Sequence, residues 1–224
     1  MFIGHFAPAF VAASLGPRAP KLGTVFVAAQ LVDWAFFGLA IVGVEKVGIE
    51  PGITKMVPLD LYYYPFTHSL AGSAIWALGF ALVVTLWQRN ANAGLLAGVV
   101  VLSHWILDWV AHRPDLTIAG GEARYGLGLW NHPEILIPLE VGITLAAFFF
   151  YLRRSRGPVG PPMVLIGTLL LFQAINWFGP EPDGVTLLFL IQPLIAFGVL
   201  TAIAAWVGEN RYFVRAGGLA APSA

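Results

Sequence analysis

Six runs of mostly apolar residues, at 22–44, 66–87, 91–112, 133–152, 163–178 and 185–207, dominate the chain. At about 1.5 Å per residue, each run as a helix reaches most or all of the ~30 Å hydrocarbon thickness of a bilayer. A seventh run, 2–16, covers only ~22 Å before Pro17-Arg18-Ala19-Pro20-Lys21 stops it, and is expected as a short or partly inserted helix. Lipid offers no partners to backbone polar groups, so such runs must satisfy their hydrogen bonds internally, as helices. The expected fold is all-α. It is a polytopic membrane bundle of about seven segments, the first one short, forming a single membrane-embedded domain over 1–208. Residues 209–224 then form a short, poorly ordered C-terminal tail.

Composition removes several alternatives. Hydrophobic residues make up 58% of the chain and charged ones 11%, against roughly 25% charged in soluble domains. The net charge is zero, which argues against a nucleic-acid partner. With no cysteine there is no disulfide framework, thiolate metal site or iron–sulfur cluster, so any metal must sit on His, Asp and Glu. The first run lacks a basic flank and a small-residue cleavage site, and is expected to stay in the mature protein. Two connections are long: 45–65, polar and ending in the interfacial cluster Tyr62-Tyr63-Tyr64, and 113–131, rich in glycine.

Counting basic residues orients the bundle. With the Arg18/Lys21 turn in the cytoplasm, that side holds Arg18, Lys21, Arg89, Arg153, Arg154, Arg156, Arg211 and Arg215. The other side holds Lys46, Lys55, Arg113 and Arg124. The bias places the C-terminus in the cytoplasm and the two long loops outside. An integral protein of a bacterial inner membrane is the expected setting, with the lipid bilayer as its first partner.

His104, Asp108 and His112 follow one another at intervals of four residues at the end of the 91–112 run. Each step of four drifts only ~40° around a helix, so all three share a face. An imidazole and a carboxylate so spaced can chelate one ion. The alternative is a buried His–Asp hydrogen bond that packs two helices. Ionisable groups inside a membrane cost about 2.5–3.5 kcal/mol each, so something must offset them. Depth adds to the case. His5 lies eleven residues from Gly16, Asp33 twelve from Lys21 and His104 twelve from Asn92, each ~16–18 Å from the cytoplasmic boundary. Asp108 is a turn further out, and His68 opens the 66–87 run. These five residues can converge in the outer half of the bundle and hold a divalent metal. Neutral nitrogens and hard oxygens suit Zn²⁺.

The ordered motifs Gly4-His5-Phe6, Leu31-Val32-Asp33-Trp34-Ala35, Tyr64-Pro65-Phe66-Thr67-His68-Ser69 and Ser103-His104-Trp105-Ile106-Leu107-Asp108 resemble the YdjM-like family of inner-membrane-associated metal-dependent hydrolases. The resemblance covers roughly the first 115 residues. It departs at Ala35, where the family has a second Asp, and at Tyr64, where it has a further His. One metal rather than several, or a degenerate site, is what those departures imply. The ligand order is also distantly similar to that of the zinc-dependent phospholipase C and nuclease superfamily. Together these imply hydrolysis of an ester or phosphoester, with a lipid or lipid-linked substrate suggested by the position of the site. Asp33, Asp108 and His112 are the candidate proton-transfer groups, and Arg113, Arg124, His132 and Glu140 the candidate substrate contacts. Glu140 could instead accept hydrogen bonds from Gln173 or Asn176, and Asp115 and Glu134 read as cap or loop residues. An ion-coupled carrier and a non-catalytic membrane subunit are the competing functions.

Overall fold

The computed structural model describes residues 1–213. A 3-10 turn at Ile3–His5 leads into α1 (Phe6–Ala13), and α2 (Leu22–Ile41) follows. The hairpin strands β1 (Lys46–Ile49) and β2 (Leu59–Tyr63) come next. The helical pair α3 (Leu70–Gln88) and α4 (Ala91–Ala111) precedes α5 (Pro133–Arg154), β3 (Ser155–Arg156), α6 (Gly160–Phe178), α7 (Leu187–Glu209) and β4 (Tyr212–Phe213). Six helices, α2 to α7, are long and apolar enough to cross a membrane. Successive spans run in opposite directions, so both long connections lie at one end of the bundle, here termed the loop side.

The helix ends follow local chemistry. Ser69 caps α3 by accepting from the Gly72 amide, Asn90 caps α4 from the amides of Asn92 and Ala93, and Thr186 caps α7 from that of Phe189. His68 therefore lies just before its helix, not within it as the run from residue 66 suggested. Helix α6 begins at Gly160, three residues earlier than expected, because Pro161 and Pro162 sit in its first turn. Proline is tolerated there, where amides have no helical partner.

Helix α1 does not cross. Phe6 and Phe10 are fully buried, with their rings against Phe26 of α2 and Phe148 and Tyr151 of α5. The short first segment thus forms the centre of the core, and the spanning helices wrap it. By contrast α3 lines the periphery. Ile75, Leu78, Leu82 and Leu86 recur at helical spacing and are each well over half exposed, a face for lipid. Its other face meets α4 through glycine. A Cβ on Gly94 would run into the Thr85 hydroxyl and the Ala81 carbonyl, and one on Gly98 would come within 3.0 Å of the Ala81 methyl. Close backbone approach of this kind holds helices together where lipid removes the hydrophobic driving force. Gly94→Leu is expected to cost about 1–3 kcal/mol by overpacking, read as a lowered unfolding temperature in detergent. An unchanged melting curve would show that the two helices can separate freely.

Two elements depart from the sequence reading. The 45–65 connection contains an antiparallel hairpin, with Gly48 opposite Asp60 and Ile49 opposite Leu59. At the other end of the bundle, Ser155 and Arg156 pair with Phe213 and Tyr212. Arg211 also donates to the Ser155 hydroxyl and the Gly157 and Pro158 carbonyls. The start of the expected tail is therefore ordered, and residues 214–224 lie outside the described residues.

Candidate metal centre

The site is assembled on the loop side of α1, α2, α4 and the turn before α3. Asp108 lies at its middle, 2% exposed. Its Oδ1 is 3.1 Å from His5 Nε2 and 3.5 Å from His112 Nε2. Its Oδ2 is 3.0 Å from His104 Nε2 and 3.6 Å from His68 Nε2. Asp33 supplies a second carboxylate, with Oδ1 3.2 Å from His68 Nε2 and 3.5 Å from His104 Nε2. The His5 and His104 rings stack at 3.7 Å. Two overlapping triads result, His5–His104–Asp108 and Asp33–His68–His104, each with ligand atoms within 4.8 Å of one another. All five residues singled out as metal ligands thus meet, and His112 joins them.

The far side of each imidazole decides what its Nε2 can do. His104 Nδ1 is 2.8 Å from the Ala29 carbonyl, which can only accept, so Nδ1 carries a proton. His112 Nδ1 is 3.1 Å from the Asp115 carboxylate, with the same consequence. For His68 the partner is the Thr67 hydroxyl at 2.8 Å. That hydroxyl donates its own proton to Glu45 Oε2 at 2.6 Å, so it faces His68 as an acceptor. In the neutral tautomer all three histidines then aim Nε2 lone pairs at two carboxylates. Acceptors 3.0–3.6 Å apart repel unless a proton or a cation lies between them. The Met1 ammonium, which donates to Asp108 Oδ1 at 3.0 Å, answers one carboxylate oxygen and leaves Asp33 and the Asp108 Oδ2 side to the histidines. A His whose outer N–H is tied to a carbonyl or carboxylate is the arrangement metal ligands adopt. The donor set fits a divalent ion of the zinc type. His104 Nε2 and both ring nitrogens of His5 are buried without a hydrogen-bond partner, and the same ion would answer the two Nε2 atoms.

Glu45, Thr67 and Asp115 complete this outer ring, and sequence reasoning did not assign them to it. Asp115 is 6% exposed and not a loop cap. It accepts from His112 and from the Tyr64 hydroxyl at 2.8 Å, and Arg113 Nε lies 3.3 Å from its second oxygen. Burial first, and then the charge of Asp115, push the Tyr64 phenol up, so it stays a neutral donor. Glu45 also accepts from the amides of Phe66 and Thr67. The only advance signal was position. Glu45 directly follows an apolar run and Thr67 directly precedes His68.

The four residues suggested as substrate contacts separate. Glu140 is buried and accepts from the amides of Phe2 and Gly4 and from Gln173, which pins the segment before α1. Arg113 is held by Asp60 at 2.6 Å. Arg124 lines a pocket of about 110 Å³ that also touches Tyr64 and His68. His132 is over half exposed, pairs with Glu134 and does not reach the site.

A larger cavity of about 500 Å³ opens from the cluster, with Asp33, His68, Asp108 and His112 at one end and Glu140 on its wall. No family model, curated protein or solved structure matches the chain.

Proposed function

We propose that the chain is a membrane-bound, metal-dependent hydrolase, with zinc the metal its donors suit best, cleaving an ester or phosphoester in a bacterial inner membrane. The carrying observation is the set of Nε2 atoms turned towards Asp33 and Asp108, with each Nδ1 held by Ala29, Asp115 or the Glu45–Thr67 pair. The resemblance to the YdjM-like family, carried by His5, Asp33, His68, His104 and Asp108, supports the same reading.

A divalent ion held there would polarise the scissile group and acidify water. The chain's own residues supply the rest. Asp33 is the more open carboxylate, with 19% of its side chain exposed against 3% for Asp108, and it lines the cavity. It is placed to take a proton from water. His112 also lines the cavity, and its Nδ1 proton is tied to Asp115, so its free Nε2 is placed to pick up a proton and pass it to the leaving oxygen. The apolar walls exclude bulk water.

Metal analysis of the purified protein beside His104→Ala tests this. The expected result is stoichiometric zinc in the native chain and loss of at least one equivalent in the variant, together with chelator-sensitive hydrolysis of a chromogenic ester or phosphodiester. Stoichiometric metal with no turnover of either class would favour the non-catalytic subunit. No metal in either protein would remove the hydrolase reading.

A further inference from the structure

The cavity leads away from the cluster towards α6 and α7, and its lining constrains what enters. Phe36, Phe37, Phe189 and Phe197 make its wall aromatic. No lysine or arginine side chain lines it, and its acidic groups are Asp33, Asp108 and Glu140. Its one fixed positive group, the Met1 ammonium, is held by Asp108 at 3.0 Å. An anionic headgroup lying beyond the metal ligands would therefore find no free cation here and would face Glu140 at short range and low dielectric.

The far side carries two amides, Asn176 on α6 and Gln192 on α7. Both are exposed, and neither is hydrogen-bonded to another described residue. Asn176 lies two residues from the end of α6, and Gln192 five residues into α7, so both sit within one to two turns of the loop-side ends of these helices. Lipid-facing amides without partners are costly at such depth. Pro193 adds to the polar rim, because it has no N–H for the carbonyl of Phe189 one turn earlier. Ile175, 58% exposed, lines the same cavity. One side of the cavity is therefore walled by membrane-spanning side chains of α6 and α7, and Met56, Val57 and Leu59 line it from the hairpin.

We infer that the substrate is an uncharged, single-chain lipid ester of the monoacylglycerol kind, taken in laterally from the bilayer between α6 and α7. This rests on the hydrolase reading above. The ester carbonyl lies at the cluster and the hydrocarbon along the aromatic wall. Asn176 and Gln192 give hydrogen bonds to hydroxyls of the alcohol half. About 500 Å³ lies in the lower half of the ~300–1,000 Å³ range of ligand pockets and suits one chain rather than two. In the reaction a water oxygen bonds to the carbonyl carbon and the acyl carbon–oxygen bond breaks. One water proton passes to the leaving alcohol oxygen, and the other is released as the fatty acid ionises. The smaller pocket beside Arg124 reaches His68 from the loop side.

The test is photolabelling of the zinc-loaded full chain, in phosphatidylcholine nanodiscs, with a diazirine-bearing monoacylglycerol. Adducts are expected within 172–177 and 189–197. Unlabelled monoacylglycerol should compete at a concentration at least tenfold below that of anionic lysophosphatidylglycerol. Ala196→Trp, and the milder Ala196→Leu, fill the cavity from α7. They should cut labelling at least fivefold with zinc content unchanged, which certifies folding. Labelling spread over the lipid-facing surface and indifferent to both variants, or equal competition by the anionic lipid, overturns the inference. Turnover of a short water-soluble ester without cavity labelling rejects the lipid substrate and leaves the hydrolase. Cavity labelling without turnover of any ester rejects the hydrolase and the substrate assignment with it.

Discussion

Asp108→Ala is expected to release the metal entirely and to abolish hydrolysis, a larger loss than any other single substitution in the chain. Asp108 faces the Nε2 atoms of His5, His68, His104 and His112 at 3.0–3.6 Å, so it belongs to every pairing in the cluster except those of Asp33. Outer-shell residues cost about 10–100-fold in metal affinity or activity, and loss of the shared carboxylate should exceed that range. The fold should suffer as well. Asp108 is also paired with the buried Met1 ammonium at 3.0 Å, and removing one partner of a buried charged pair costs about 3–5 kcal/mol. Asp108→Asn separates the two effects, because it keeps the volume and removes the charge. Its amide oxygen can still accept from the Met1 ammonium, so it should lose less thermal stability than the Ala variant yet bind no zinc by elemental analysis. An Asn variant that keeps full zinc and turnover would place the ion elsewhere, away from Asp108.

Much of this centre was legible in the sequence because its ligands sit on segments whose depth can be counted. Asp33 and His104 are each twelve residues from a residue at the opposite end of their helix, Lys21 and Asn92, and a fixed rise per residue turns that into a shared level. The i, i+4 spacing of His104 and Asp108 gave their common face. The spans themselves followed from apolar length. What could not be counted was long-range. Asp115 meets Tyr64 across 51 residues, and Glu45 meets Thr67 across 22. The first joins two connections that read only as polar loops, and the second joins one of them to the start of the 66–87 run. The 46–63 hairpin was missed for a related reason, since Pro51, Gly52 and Pro58 interrupt any alternating pattern. The depth of α1 was hidden too. Its length says that it cannot cross, but the side chains of Gln30, Glu140, Thr144 and Gln173, which bond the backbone of residues 2–4, show that it is drawn into the bundle.

Glu45→Gln should weaken zinc binding about 10–100-fold although Glu45 touches no ligand atom, an effect of outer-shell size. The reason is the direction of a hydrogen bond. One Glu45 oxygen accepts from the amides of Phe66 and Thr67, at 2.8 and 3.0 Å, and the other accepts the Thr67 hydroxyl proton. Backbone amides can only donate, so the carbonyl oxygen of a glutamine must keep the first place and its NH₂ must take the second. Thr67 then accepts from that NH₂ and turns its own proton towards His68 Nδ1. The neutral tautomer of His68 reverses, and Nε2 carries a proton where it should offer a lone pair to the ion. Thr67→Val removes the relay instead and leaves a buried N–H unpaired at about 1–3 kcal/mol, whereas Thr67→Ser keeps the hydroxyl and should bind zinc as the native chain does. The double variant Glu45→Gln/Thr67→Val should bind no more weakly than the worse of its two parents, because both act through the same ring nitrogen. Competitive zinc titration of the four variants checks this. Independent, multiplicative losses in the double variant would show that Glu45 works through the loop backbone and not through the proton on His68.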